Sequence, residues 1–99
     1  MNILLIDDEL DSFNSLVAAV EPAGNKCKKF NCPVQALETY RQHQDLYGVV
    51  ITDMKMPGMN GIEFLKQART LNPEARVIII TGYGDVETAI TAVNNGAYA

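Results

Sequence analysis

Ile3-Leu4-Leu5-Ile6-Asp7-Asp8-Glu9, close to the start of a 99-residue chain, governs how the rest is read. Four consecutive apolar residues are too few for a helix and do not alternate. The run therefore reads as a strand buried on both faces, as strands of a parallel sheet are. Acids follow it directly. Further along, Val49-Val50-Ile51-Thr52, set off by Gly48, and Val77-Ile78-Ile79-Ile80, after the break at Asn72-Pro73, repeat the pattern. Lys26–Phe30 is a weaker strand, polar enough to lie at a sheet edge.

Amphipathic stretches separate these runs. Phe13, Leu16, Val17 and Val20 recur at helical spacing, with Asp11 as the expected cap and Pro22 and Gly24 as the stop. Pro33 suits the first position of a second helix, expected to turn Val34, Leu37 and Tyr40 inward. Asn60 and Glu63 have capping-box spacing before a third helix, with Ile62, Leu65 and Ala68 assigned to its buried side. Asp85 is expected to open a fourth, carrying Val86, Ile90 and Val93 and closing in a left-handed cap at Asn95-Gly96. The order βαβαβαβα implies an α/β fold, a doubly wound parallel sheet with right-handed crossovers and helices on both faces. At 10.9 kDa the chain has room for one domain, residues 1–99.

Composition narrows the function. With 47% apolar and 20% charged residues the chain is an ordinary globular domain, which excludes disorder. A net charge of -4 and a pI near 4.7 argue against a nucleic-acid binder, and Lys26, Lys28 and Lys29 read as a solvated strand edge. Cys27 and Cys32 are too few for a disulfide framework and lack the second pair that a zinc site needs, so they read as free thiols. No stretch approaches the ~18 apolar residues of a membrane span. Nor does the beginning have the basic flank of a signal peptide, so the expected location is cytoplasmic.

In a parallel sheet of this kind, ligands bind beyond the carboxyl ends of the strands. Those positions hold Asp7-Asp8-Glu9, Asp53 and Thr81-Gly82. If the first and third strands are neighbours, Asp7, Asp8 and Asp53 converge. Carboxylates that close force one pKa upward unless a cation neutralises them, and hard oxygen donors suit Mg²⁺. The Thr81 hydroxyl is placed to donate to an oxyanion held there. One Asp after a strand is usually a turn or a cap; several at neighbouring strand ends are not easily dismissed so. Glu9 and Asp11 read as a solvated charge and a cap.

Other candidates carry less. His43 is the only histidine and sits in a polar stretch, which makes it a surface residue. Ser12 and Ser15 have no nucleophile-elbow context. Gly82-Tyr83-Gly84 lacks the third glycine of a dinucleotide fingerprint and follows the wrong strand. Met54, Met56 and Met59 fit loop packing better than metal binding.

Taken together, Ile3-Leu4-Leu5-Ile6-Asp7-Asp8-Glu9, Ile51-Thr52-Asp53-Met54-Lys55-Met56-Pro57-Gly58-Met59-Asn60-Gly61 and Val77-Ile78-Ile79-Ile80-Thr81-Gly82 closely resemble the receiver domain of bacterial two-component response regulators. The resemblance covers the whole chain, and residues 81–90 look most like receivers joined to transcriptional output domains. It implies a flavodoxin-like topology of strand order 2-1-3-4. It also implies that Asp53 is the phosphoacceptor for a histidine kinase. Asp8, Asp53 and the backbone carbonyl of Lys55 would hold Mg²⁺, Asp7 would act through bound water, and Thr81 would contact a phosphoryl oxygen. Lys55 and Tyr83 would tune dephosphorylation. On this view the domain is a signalling phosphoacceptor, not an enzyme in its own right.

The sequence also departs from the family. A receiver ordinarily continues into a fifth strand with an aromatic switch residue, a Lys-Pro and a fifth helix, whereas this sequence stops at Gly96-Ala97-Tyr98-Ala99. The expectation that follows is an open fourth strand, self-association through the fourth strand or fourth helix, and slower or less stable phosphorylation. Two other functions are set against the phosphoacceptor. One is a receiver-like interaction module that is not productively phosphorylated. The other is a small aspartate-nucleophile phosphatase, which would want D-x-D after the first strand and not adjacent acids.

Overall fold

Side chains that alternate along each strand divide this protein into two apolar layers. The computed structural model describes residues 1–9 and 13–95. In chain order these form β1 (Asn2–Ile6), α1 (Asn14–Val20), a 3₁₀ turn (Glu21–Ala23), β2 (Lys26–Phe30), α2 (Pro33–His43), β3 (Tyr47–Asp53), α3 (Gly61–Leu71), β4 (Val77–Ile80) and α4 (Tyr83–Asn95). The strands pair in parallel in the order β2-β1-β3-β4, the doubly wound α/β arrangement.

Ile3 and Leu5 of β1, with Val49 and Ile51 of β3 and Ile80 of β4, pack on one face of the sheet against Phe13, Leu16 and Val20 and, beside them, Ala89 and Val93 of α4. The intervening residues Leu4, Ile6 and Val50 face the opposite way, onto Ala36, Tyr40, Phe64 and Ala68 of α2 and α3. Both faces of β1 are thus fully buried, as a four-residue apolar run requires. The lysines of β2 are exposed on its edge.

Several sequence expectations need correction. Gly48 does not precede β3 but lies inside it, where Asn2 pairs with Tyr47 and Ile3 with Val49, so Gly48 is the extra residue of a bulge. A Cβ there would fall 2.4 Å from the Met1 sulfur, the end of an exposed side chain that can swing aside. In α2, Tyr40 is buried as expected and Leu37 packs partly against the core, but Val34 is 61% exposed, and Pro33 and Ala36 complete the buried face. In α3, Ile62 is likewise exposed and the sheet receives Gly61, Phe64 and Ala68. Small residues let these helices approach the sheet closely; Val34 lines a shallow groove between α2 and α3 with Leu37 and Leu71. Asn60 caps α3, its side chain accepting the Glu63 N–H at 2.9 Å. α1 stops at the 3₁₀ turn containing Pro22, and Gly24 follows with φ of 99°. α4 begins at Tyr83, two residues before Asp85. The expected caps at Asp11 and Gly96 lie outside the described residues.

Candidate functional site

Because β1 and β3 are neighbours, the residues just past their ends share one rim of the sheet. Asp7 and Asp8 leave β1, and Asp53 is the last residue of β3, in register with Ile80 of β4. One carboxylate oxygen from each of Asp7, Asp8 and Asp53 lies within 4.8 Å of the others. Asp7 is buried, with its carboxylate accepting the Glu9 N–H at 2.8 Å and its own N–H bonded to the Phe30 carbonyl at 3.0 Å. Asp8 is exposed and Asp53 half-buried.

Burial pushes the Asp53 carboxyl above its ordinary value, and the charge of Asp8 adds to the rise. The Met54 N–H and the Lys55 ammonium act in the opposite direction. The backbone beneath Asp53 is tightly held. Met54 donates to the Ile80 carbonyl at 3.0 Å and accepts from Gly61 N–H at 2.9 Å, while the buried Thr52 hydroxyl donates to the Asp53 carbonyl at 3.0 Å. A Cβ on Gly61 would meet the Asp53 carbonyl oxygen at 3.0 Å, so this close crossing of α3 over the end of β3 requires glycine.

An open cleft of about 500 Å³ runs from the three aspartates to Thr81 and Gly82, with Phe13, Ile80 and Val86 as its apolar wall. A second hollow on the far side of Asp8 is bordered by Lys55, Met56 and Asn60. Lys55 thus stands beside the acids, in the loop between β3 and α3. Thr81 lines the cleft, but its hydroxyl donates to the Asp85 carboxylate at 2.8 Å. Asp85 was expected only to open a helix, and its grip on Thr81 is an addition to the site. A Thr and an Asp four apart across a helix start were the available signal. Other residues stay apart from the site: His43 is exposed at the end of α2, Ser15 is exposed on α1, and the free thiols Cys27 and Cys32 are half-buried near β2.

The donor set fits a hard divalent cation. Oxygens bound to Mg²⁺ at ~2.1 Å lie at most about 4.2 Å apart, so the three carboxylates need to close only slightly or to bind through water. An upward-shifted carboxyl among like charges is also the electrostatic mark of a place that gains from a cation.

Residues 3–99 match the family model of the response regulator receiver domain. The chain belongs to that family. Among curated relatives, this receiver is 34% identical over 97 residues to the C4-dicarboxylate transport transcriptional regulatory protein DctD of Rhizobium meliloti, covering 98% of this chain and 21% of that protein. The chain therefore spans about a fifth of the length of that relative. A solved response regulator receiver domain protein from Clostridium thermocellum superposes with a TM-score of 0.76 at 35% identity, covering 97% of this chain and 76% of that one. A chain of the CheX-CheY-BeF3-Mg+2 complex from Borrelia burgdorferi superposes with a TM-score of 0.75 at 25% identity, over 89% of this receiver and 71% of that chain. Receivers are signalling domains of two-component response regulators, interact with histidine kinases and bind Mg²⁺ at acidic residues. No helix among the described residues is long and apolar enough to cross a membrane.

Proposed function

We propose that this receiver takes a phosphoryl group from a histidine kinase onto Asp53, with Mg²⁺, and changes conformation or association as a result. The observation that carries the reading is the meeting of Asp7, Asp8 and Asp53 within 4.8 Å at one end of an open cleft that Thr81 also lines. A carboxylate oxygen of Asp53 attacks the phosphorus of the kinase's phosphohistidine, the P–N bond breaks, and the imidazole leaves with that electron pair and takes up a proton. Such a transfer needs positioning and charge neutralisation more than covalent help. Asp53 is suited to it because strand, loop and Gly61 contacts fix its backbone while its side chain faces the cleft rim.

Asp8, Asp53 and the Lys55 carbonyl are the residues proposed to hold Mg²⁺, with Asp7 acting through water; the ion would neutralise the charge gathered around the phosphoryl group. Asp7 also draws in the Glu9 N–H and so fixes the turn that presents Asp8. Thr81 is proposed to give its hydroxyl to a phosphoryl oxygen once Asp53 is modified. The BeF3 and Mg named for the Borrelia burgdorferi complex support this reading by analogy.

Intact mass after incubation with acetyl phosphate and Mg²⁺ tests it. One phosphoryl adduct on the wild-type protein, absent from Asp53→Ala and from a sample treated with chelator, is the expected result. A folded wild-type protein without adduct overturns the phosphoacceptor reading in favour of an interaction module.

A further inference from the structure

The β4–α4 turn already holds an anion of its own. One oxygen of Asp85 accepts the Thr81 hydroxyl at 2.8 Å, the Thr81 N–H at 2.8 Å and the Gly82 N–H at 2.9 Å. Asp85 lies in the first turn of the thirteen-residue α4, and Thr81 and Gly82 both line the cleft that ends at Asp53. A threonine hydroxyl has a single proton. While that proton is given to Asp85 it cannot be given to anything at Asp53.

We propose that Asp85 is a positioning residue that competes with the phosphoryl group for the Thr81 hydroxyl, so that modification of Asp53 must pull Thr81 off Asp85 and thereby release the first turn of α4. This rests on Asp53 being the acceptor and adds to that reading a cost and an output. The cost is the surrender of a hydrogen bond to a charged carboxylate, among the stronger kinds in proteins. The output is α4: once Thr81 leaves, Asp85 retains only the two backbone donors, and the helix start loosens from the end of β4. Those three bonds also hold the Asp85 carboxyl below its ordinary value, consistent with an anion held by donors.

A cap and a competitor predict opposite signs. Loss of a mere cap would weaken capture of a phosphoryl group, whereas loss of a competitor strengthens it. The test is beryllofluoride, the phosphoryl mimic, titrated with Mg²⁺ into the 99-residue protein and followed by ¹⁵N amide spectra. Proteins compared are wild type, Asp85→Asn, Thr81→Val and the double variant. Asp85→Asn keeps the shape of the side chain and removes its charge, and is expected to lower the half-saturating concentration about fivefold. Thr81→Val alone and with Asp85→Asn should then saturate alike, because the contested proton is gone. Equal or weaker saturation in Asp85→Asn than in wild type overturns the proposal, as does the same gain in the Thr81→Val background. No saturation in any protein overturns the phosphoacceptor reading and this inference with it. Should the Asp85→Asn spectrum collapse, Asp85→Ser is titrated in its place; collapse of both assigns Asp85 a structural role and overturns the competition.

Discussion

Burial, reinforced by the charge of Asp8, makes the ionised Asp53 side chain a cost to the folded receiver. The folded state holds that proton more tightly than the unfolded chain does. The stabilising effect of the proton is fully present below the ordinary carboxylate value and is lost as pH rises through the raised folded value. Asp53→Asn should therefore raise the melting temperature at pH 7 by a few degrees without metal, and the gain should vanish below about pH 4. Thermal unfolding followed by circular dichroism at the two pH values checks both halves. The same substitution should abolish stabilisation by Mg²⁺, since a ligand that binds only the folded form raises its stability in proportion to the logarithm of ligand concentration. Asp85 has the opposite sign: its depressed value means a contribution present above the ordinary carboxylate range and lost as pH falls through it. Asp7, Asp8, Asp53 and Thr81 were legible in the sequence because parallel strands end on one rim, and a residue one place past an apolar run must lie there. Asp85's hold on Thr81 was not legible. Its geometry depends on backbone angles in the two-residue turn between β4 and α4, which no apolar pattern reports.

Gly61 couples an element to the site, since α3 begins where the Asp53 carbonyl, the Met54 Cα and the Ile79 side chain converge within 3.2 Å of a would-be Cβ. Two of those neighbours are backbone and cannot step aside without moving Asp53 itself. Gly61→Ala should cost about 1–3 kcal/mol in urea unfolding, the usual range for overpacking. It should also lower the yield of the acetyl phosphate adduct measured by mass. Asn60→Ala, one residue away, removes only the bond from the Glu63 N–H and should cost about 1 kcal/mol. The pair separates helix capping from site geometry, because only Gly61 touches the Asp53 carbonyl. Strand and helix order was legible from apolar runs and from Pro22, Pro33 and Asn72-Pro73. Helix phase was legible only in part: Tyr40 and Ala68 are buried as expected, whereas Val34 and Ile62 are exposed. Val34 and Ile62 are bulkier and more apolar than Ala36 and Gly61, yet close packing on the sheet favours the small residue. A reading that ranks residues by hydrophobicity misplaces the first inward position of such helices.

The two edges of the sheet differ in chemistry, and the difference bears on how whole molecules meet. β2 forms one edge and presents exposed Lys26, Lys28 and Lys29, charges of the kind that discourage strand-to-strand pairing. β4 forms the other edge among the described residues, and Val77-Ile78-Ile79-Ile80 carries no charge at all. Its first three residues are only half-buried, although Ile78 and Val77 each pack partly against the apolar layers. Backbone donors and acceptors along that side are a template for another strand, and a second copy meeting it about a two-fold axis would pair β4 with β4 antiparallel. We therefore propose self-association of the 99-residue chain through β4. Sedimentation velocity over an about hundredfold range of concentration should show the monomer giving way to a dimer. Amide hydrogens of β4 should exchange more slowly at the concentrated end, since pairing is what protects them. Val77→Lys, which puts on this edge the device that β2 already carries, should shift the equilibrium back towards monomer. One sedimentation coefficient across the whole range would overturn the proposal. A dimer that Val77→Lys leaves intact, with unprotected β4 amides, would move the contact to α4. Association through α4 would join the copies at the helix whose first turn Asp85 controls, and phosphorylation of Asp53 would then change the dimer directly.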